Sequence, residues 1–126
     1  MDNPTIFVER PLTEKERLIT IWLLQHGNPE ALTFLSDVER ATVVRGCPCG
    51  CPSIDFAIAG VLSKDGGIKV LSDYYWINDD DHTNGIFVYS ISGQLAGLEV
   101  YSCDGECSMV GIPDPIDLIP MSRPLA

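Results

Sequence analysis

The apolar residues change their period once, just after Arg40, and that single change constrains the fold more than any motif in the chain. Before it they recur at helical spacing. After it they alternate, in runs separated by glycine- and aspartate-rich turns. A helical stretch followed by strands joined through short loops reads as α+β rather than as a layered α/β chain.

The helical stretch, residues 13–40, has two starts. Pro11 sets up the first. Thr13 and Glu16 then form a Thr-x-x-Glu capping box, in which each side chain serves the other residue's backbone N–H. Leu18, Ile19, Ile21, Trp22 and Leu23 supply an apolar stripe, and Gly27 ends the helix. Asn28-Pro29-Glu30 restarts it with a good N-cap, a proline suited to the first helical position and a carboxylate at the positive end of the dipole. Ala31, Leu32, Leu35 and Val38 give the second helix its apolar face. The short connection makes the two helices a pair.

Residues 41–102 read as about five strands. Ala41-Thr42-Val43-Val44-Arg45 is β-branched. From Ser53 to Ala59, Ile54, Phe56 and Ile58 point one way and Asp55, Ala57 and Ala59 the other. Ile68 to Ile77 follows the turn Lys64-Asp65-Gly66-Gly67, with Val70, Tyr74 and Trp76 on one parity. Ile86 to Ile91 and Leu95 to Ser102 flank the hairpin turn Ser92-Gly93-Gln94. Residues 1–10 read as an extended arm in which Ile6-Phe7-Val8 can add an edge strand. Residues 103–126 carry Pro113, Pro115, Pro120 and Pro124, which exclude a regular helix or central strand, so this tail is expected to be irregular and anchored by Ile112, Ile116, Leu118 and Ile119. The expected fold is one domain, 1–126, with the helix pair on one face of a roughly five-stranded antiparallel sheet. A meander is the economical strand order; a Greek key changes the neighbours but not which strands run up.

That up–down parity matters because of where the cysteines fall. Cys47-Pro48-Cys49-Gly50-Cys51-Pro52 follows the first of the five strands, and Cys103 and Cys107 follow the last. The loop 78–85, with Asp79, Asp80, Asp81 and His82, follows the third. All three connections are expected at one end of the sheet. The sharp reading is a metal site built from Cys47, Cys49, Cys51, Cys103, Cys107 and His82, with zinc as the ion that thiolates favour. Cys-x-Cys-x-Cys is not the usual zinc spacing; only Cys47/Cys51 and Cys103/Cys107 have three residues between them. The bland reading is that these are small buried side chains. A Cys103–Cys107 disulfide and a reactive thiol are further alternatives, and five cysteines leave at least one thiol over. His26, at a helix C-terminus, reads as a cap. The three aspartates lack the alternating ligand spacing and distal glutamate of a calcium-binding loop.

Charge sets the classes of partner. The net charge is −10; the first 46 residues carry five Lys/Arg against seven Asp/Glu, the remaining 80 three against eleven. Such a surface repels a phosphate backbone, which disfavours nucleic acid and suits a cation or a basic protein. Tyr74, Tyr75, Trp76, Phe87 and Tyr89 lie on two strands. If helices cover only one face, some of these rings remain on the other, and Tyr75 and Tyr89 with Asp79, Asp80 and Asp81 form a partner-binding patch. No apolar run is long enough to span a bilayer. Met1-Asp2-Asn3-Pro4 lacks the basic start of an export signal, so the expected compartment is the cytoplasm. No phosphate loop, nucleophile elbow or paired catalytic carboxylates stand out, and the chain reads as non-catalytic.

The run Cys-Pro-Cys-Gly-Cys-Pro-Ser-Ile-Asp (residues 47–55) and the run Leu-Ala-Gly-Leu-Glu-Val-Tyr-Ser-Cys-Asp-Gly-Glu (residues 95–106) together resemble a group of small bacterial proteins of uncharacterised function. In that group a helical N-terminus leads into a Cys-x-Cys-Gly-Cys-Pro segment and then β-structure. The resemblance implies the same α+β order and no particular activity. The acidic strand ending is also similar to small immunity proteins of bacterial toxin systems, which implies an inhibitor of a basic toxin. The function expected from the sequence is therefore a binding module for another protein or a second copy of itself. The alternatives are a zinc- or thiol-dependent protein and an immunity-type inhibitor.

Overall fold

The computed structural model describes residues 6–46, 52–79, 81–102 and 111–121. It is an α+β fold built on a large antiparallel sheet. In chain order the elements are β1 (Ile6–Pro11), α1 (Glu14–Gln25), a 3₁₀ helix (Pro29–Phe34), α2 (Leu35–Val38), β2 (Ala41–Gly46), β3 (Ile54–Ile58), β4 (Val61–Leu62), β5 (Ile68–Ile77), β6 (Thr83–Ile91), β7 (Gln94–Ser102), a short 3₁₀ turn (Pro115–Asp117) and β8 (Ile119–Pro120).

The start of α1 follows from its sequence. Glu16 N–H donates to Thr13 Oγ1 at 3.1 Å and Thr13 N–H donates to Glu16 Oε1 at 2.8 Å, closing the capping box. Arg10, on β1, completes it: Nη1 and Nη2 donate to the two Glu16 oxygens at 2.8 and 3.0 Å. The second helical start winds differently from the expected α-helix. Asn28 Oδ1 does accept from Ala31 N–H at 2.9 Å, but residues 29–34 form a 3₁₀ helix. Its three-residue repeat places Ala31 and Phe34 together in the core and turns Leu32 outward, 54% exposed.

The strand order is β1-β2-β3-β7-β6-β5-β8, with β4 paired to β3. The five expected strands are present as β2, β3, β5, β6 and β7; three more join them. The arm supplies β1 at one edge. β4 and β8 have two residues each, too few to show alternation, and Pro120 is tolerated because β8 is an edge. The economical meander is not what forms. After Ile58 the chain turns through Ala59 and Gly60, both at positive φ, and β4 folds back on Ala57 and Ile58. β4 thus occupies the place beside β3 that a meander would give to β5. β5 goes to the far side, and the β5–β6–β7 hairpins bring β7 back beside Ile54 and Asp55. This is the Greek-key order.

Parity survives the rearrangement. Gly46 pairs with Ile54, Ile54 with Leu98, Asn84 with Ser102 and Ile77 with Thr83. The strand ends leading into both cysteine segments, and the 78–82 loop, therefore share one end of the sheet. One face assignment changes. A bulge between Val70 and Ser72 pairs Val70 with Tyr89 and Ser72 with Val88, so Val70 lies on the face opposite Tyr74 and Trp76.

The core joins Ile19, Leu23 and Leu24 of α1, Ala31, Phe34 and Val38 of the following helical turns, and Val43, Phe56, Leu71, Ile86, Val88, Leu98 and Val100 of the strands. Leu18, expected in the α1 stripe, is exposed instead. In the tail, Ile112 and Leu118 pack against the core, whereas Ile116 and Ile119 are exposed and do not anchor it. No helix among the described residues is long and apolar enough to cross a membrane.

Candidate functional site

The strand residues that alternate with the core residues form the second face of the sheet. Cross-strand register places Arg45 of β2, Asp55 and Ala57 of β3, Gly97, Glu99 and Tyr101 of β7, Gly85, Phe87 and Tyr89 of β6, and Val70, Asp73, Tyr75 and Ile77 of β5 on it, in that order across the strands. Ile119 of β8 continues the row beside Tyr75.

Two glycines shape the centre of this face. Tyr101 is paired with Gly85 and Tyr89 with Gly97, and in each case the tyrosine lies where a Cβ on the glycine would stand. A ring laid over a bare backbone shields the strand hydrogen bonds that glycine leaves open. Phe87 sits between them, with ring centroids 5.7 Å from Tyr89 and 6.0 Å from Tyr101, tilted in both pairs. Phe87 is also the direct cross-strand partner of Glu99. The Glu99 carboxylate is thus bordered by Phe87 across the strand, Tyr101 two residues on, and Tyr89 over Gly97 two residues back.

Two carboxylates meet here in different states. Asp55 is satisfied: Tyr89 Oη donates to Oδ1 at 3.1 Å, and Arg45 Nε lies 3.3 Å from Oδ2. Glu99 forms no ion pair among the described residues. Burial pushes its carboxyl above the ordinary range, and the Asp55 charge adds to the rise, while the Ser53 hydroxyl opposes it. Burial likewise raises the Tyr89 phenol, helped by the Asp55 charge, the hydrogen bond to Asp55 and the Glu99 charge, with Arg45 pulling the other way. Tyr89 stays a neutral donor at physiological pH.

The residues expected to bind a partner divide. Tyr75 lies on this face, half-buried, and the exposed Ile77 carries the row toward the 78–82 loop. Tyr89 is on the same face but only 7% exposed, with its hydroxyl committed to Asp55, so it offers a partner little surface. Asp79 and Asp81 lie in a tight loop at the end of the sheet, where Asn78 N–H donates to the His82 carbonyl and His82 N–H to Asn78 Oδ1, both at 3.0 Å. Asp80 lies outside the described residues, as do Cys47, Cys49, Cys51, Cys103 and Cys107. Among the described residues, no group of three or more His, Cys, Asp or Glu side chains is placed to hold a metal ion, and His82 joins no such group. His26 caps α1: its Nδ1 lies 2.8 Å from the Trp22 carbonyl, its ring stacks on Trp22 at 4.1 Å, and Tyr74 Oη donates to its carbonyl.

Glu99 and Asp55 were not singled out by sequence. Their outward parity was readable, since each sits between two core residues. What brings them together is the pairing of β3 with β7, and that follows from a two-residue strand with no sequence signal. Compared with protein-family models, curated proteins and solved structures, the chain matches none.

Proposed function

We propose that this protein is a non-catalytic protein-interaction module. In this reading the N-terminal helix pair covers one face of the sheet and the opposite face binds the partner. The observation that carries it is the composition of that second face. It bears exposed apolar side chains (Ile68, Val70, Ile77 and Ile119), half-buried aromatic rings, and three carboxylates (Asp55, Asp73 and Glu99) with Arg45 as the one basic residue among its described strand positions. Exposed apolar surface beside a surplus of carboxylates suits an interface with a protein partner. With a net charge of −10, the fitting partner is basic. An immunity-type inhibitor that covers a basic toxin is one form of this reading, and self-association is the form that the like charge of two copies disfavours.

The test compares partner capture by three proteins: wild type, Ile77→Lys on the proposed face, and Leu18→Lys on the exposed side of α1. Retention by wild type and Leu18→Lys, with loss in Ile77→Lys, is the expected result. Equal retention by all three removes the reading.

A second reading, a zinc- or thiol-dependent protein centred on the cysteines, is supported by the convergence of strand ends. Ser53, just after the first cysteine segment, donates from Oγ to the Val100 carbonyl at 2.9 Å and accepts from Val100 N–H at 2.8 Å, which ties it to the strand leading into the second. At the same end Asn84 is fully buried, and its Oδ1 meets no donor among the described residues. Elemental analysis of the purified, reduced protein separates the readings: stoichiometric zinc favours this one, and metal-free protein with unreactive thiols removes it.

A further inference from the structure

Resting on the interaction-face reading, we propose that Glu99 and the rings of Phe87 and Tyr101 form the seat for an arginine carried by the partner protein, with the guanidinium against the carboxylate and its plane against a ring. Three features converge on this group. The first is an unmet demand for positive charge. Glu99 is half-buried and forms no ion pair among the described residues, while its neighbour Asp55 already has Arg45 and Tyr89. A partly desolvated carboxylate gains more from an incoming cation than a solvated one does. It is also held protonated to higher pH by burial and by Asp55, and an arriving guanidinium reverses that bias.

The second is the frame. Phe87 stands directly across from Glu99 and Tyr101 two residues along the same strand, so a group reaching the carboxylate passes beside aromatic rings. That selects arginine over lysine. A guanidinium is planar, donates in a fork that matches a carboxylate, and stacks on ring faces; an ammonium is a compact, strongly hydrated point charge with neither fork nor stacking plane. The third is the surround. Ile68, Val70, Ile77 and Ile119 are exposed on the same face. They would waste their contact area on a free small cation and are suited to the body of a protein. The arginine is therefore partner-borne.

The probe is a blocked hexa-arginine peptide titrated into the full-length, ¹⁵N-labelled protein, with the hexa-lysine peptide at matched concentration and salt. Shifts centred on the amides of Phe87, Glu99 and Tyr101, an affinity for arginine at least about threefold above lysine, and a loss of about fivefold or more in Glu99→Gln are expected. Equal affinity of both peptides, unchanged binding by Glu99→Gln, or shifts centred on Asp79 and Asp81 would overturn the seat. Glu99→Gln is nearly isosteric, and an unchanged far-UV circular dichroism spectrum verifies its fold. The partner-capture experiment keeps the two claims separate. If Ile77→Lys loses the partner and Glu99→Gln keeps it at full affinity, the face stands and the arginine seat falls. If Ile77→Lys also keeps it, both fall.

Discussion

Glu16 and Glu99 are the same residue type, both shielded from water, in opposite electrostatic situations. At the start of α1, burial acts to raise the Glu16 carboxyl, but the Arg10 hydrogen bonds, the Thr13 backbone N–H and the Arg10 charge outweigh it and hold the group below the ordinary carboxylate range. On the second face of the sheet, burial acts on Glu99 in the same direction and nothing comparable opposes it. The difference lies in the number of donors the fold supplies, not in depth. Glu16 has a backbone N–H and a two-toothed guanidinium; Glu99 has beside it the Ser53 hydroxyl, whose proton goes to the Val100 carbonyl, and a second carboxylate. A carboxylate surrounded as Glu16 is belongs to the stability of the fold. One left as Glu99 is costs stability, a cost that fits the proposed interaction face.

The largest effect is expected at Glu16. Glu16→Ala removes one half of the capping box and strips Arg10 of its fork partner, so it should cost about 2–3 kcal/mol in chemical denaturation. A cost below about 0.5 kcal/mol, which is ordinary for surface substitutions, would break the contrast at its firmer end. Next is the frame around Glu99. Gly97→Ala places a methyl group against the Tyr89 hydroxyl and 2.8 Å from the Ile54 carbonyl oxygen. The ring can swing aside but the backbone cannot, so the cost should be about 2 kcal/mol. For Gly85→Ala, the three atoms nearest the new methyl group all belong to Tyr101. Its penalty should shrink by more than half in a Tyr101→Ala background, as a double-mutant cycle would show. Thr13→Ala leaves the Arg10–Glu16 fork intact and removes a single cap acceptor, for about 1 kcal/mol.

The two glutamates also differ in how well the sequence announced them. Thr13-x-x-Glu16 is a local motif, complete within four residues, and the structure reproduces both of its hydrogen bonds. Asn28-Pro29 was equally legible as a cap. What followed was not: nothing in residues 29–34 says that the turn tightens to three residues and trades Leu32 for Phe34 in the core. The arrangement around Glu99 is only partly local. Phe87 comes to it across the β6–β7 hairpin, whose turn was legible, but Asp55 and Ser53 arrive through the pairing of β3 with β7, which no local pattern announces. Alternation told which face most strand residues occupy; it could not tell which strand stands next to which. The bulge at Leu71 breaks even the face reading, because one extra residue moved Val70 to the opposite face without any glycine or proline to mark it.

The smallest expected effect has the most diagnostic sign. A carboxyl held below its unfolded pKa binds fewer protons when folded. Glu16 therefore contributes stability that is present above the unfolded value and lost as pH falls through the lowered folded value. Glu99 runs the other way. Its folded state keeps the proton longer, so its contribution is favourable in acid and is lost as pH rises from the ordinary carboxylate range through the raised value. Glu99→Gln removes that titration and keeps the shape. It should leave stability unchanged in acid and raise it at neutral pH, by less than about 1 kcal/mol because the group is partly open to solvent. Denaturation midpoints of wild type and variant across pH 3 to 8 should meet at the acid end and separate above it. Separation in the opposite sense would mean that Glu99 is stabilised as a carboxylate within the chain itself. The two glutamates would then be alike, and the arginine seat would have no electrostatic basis.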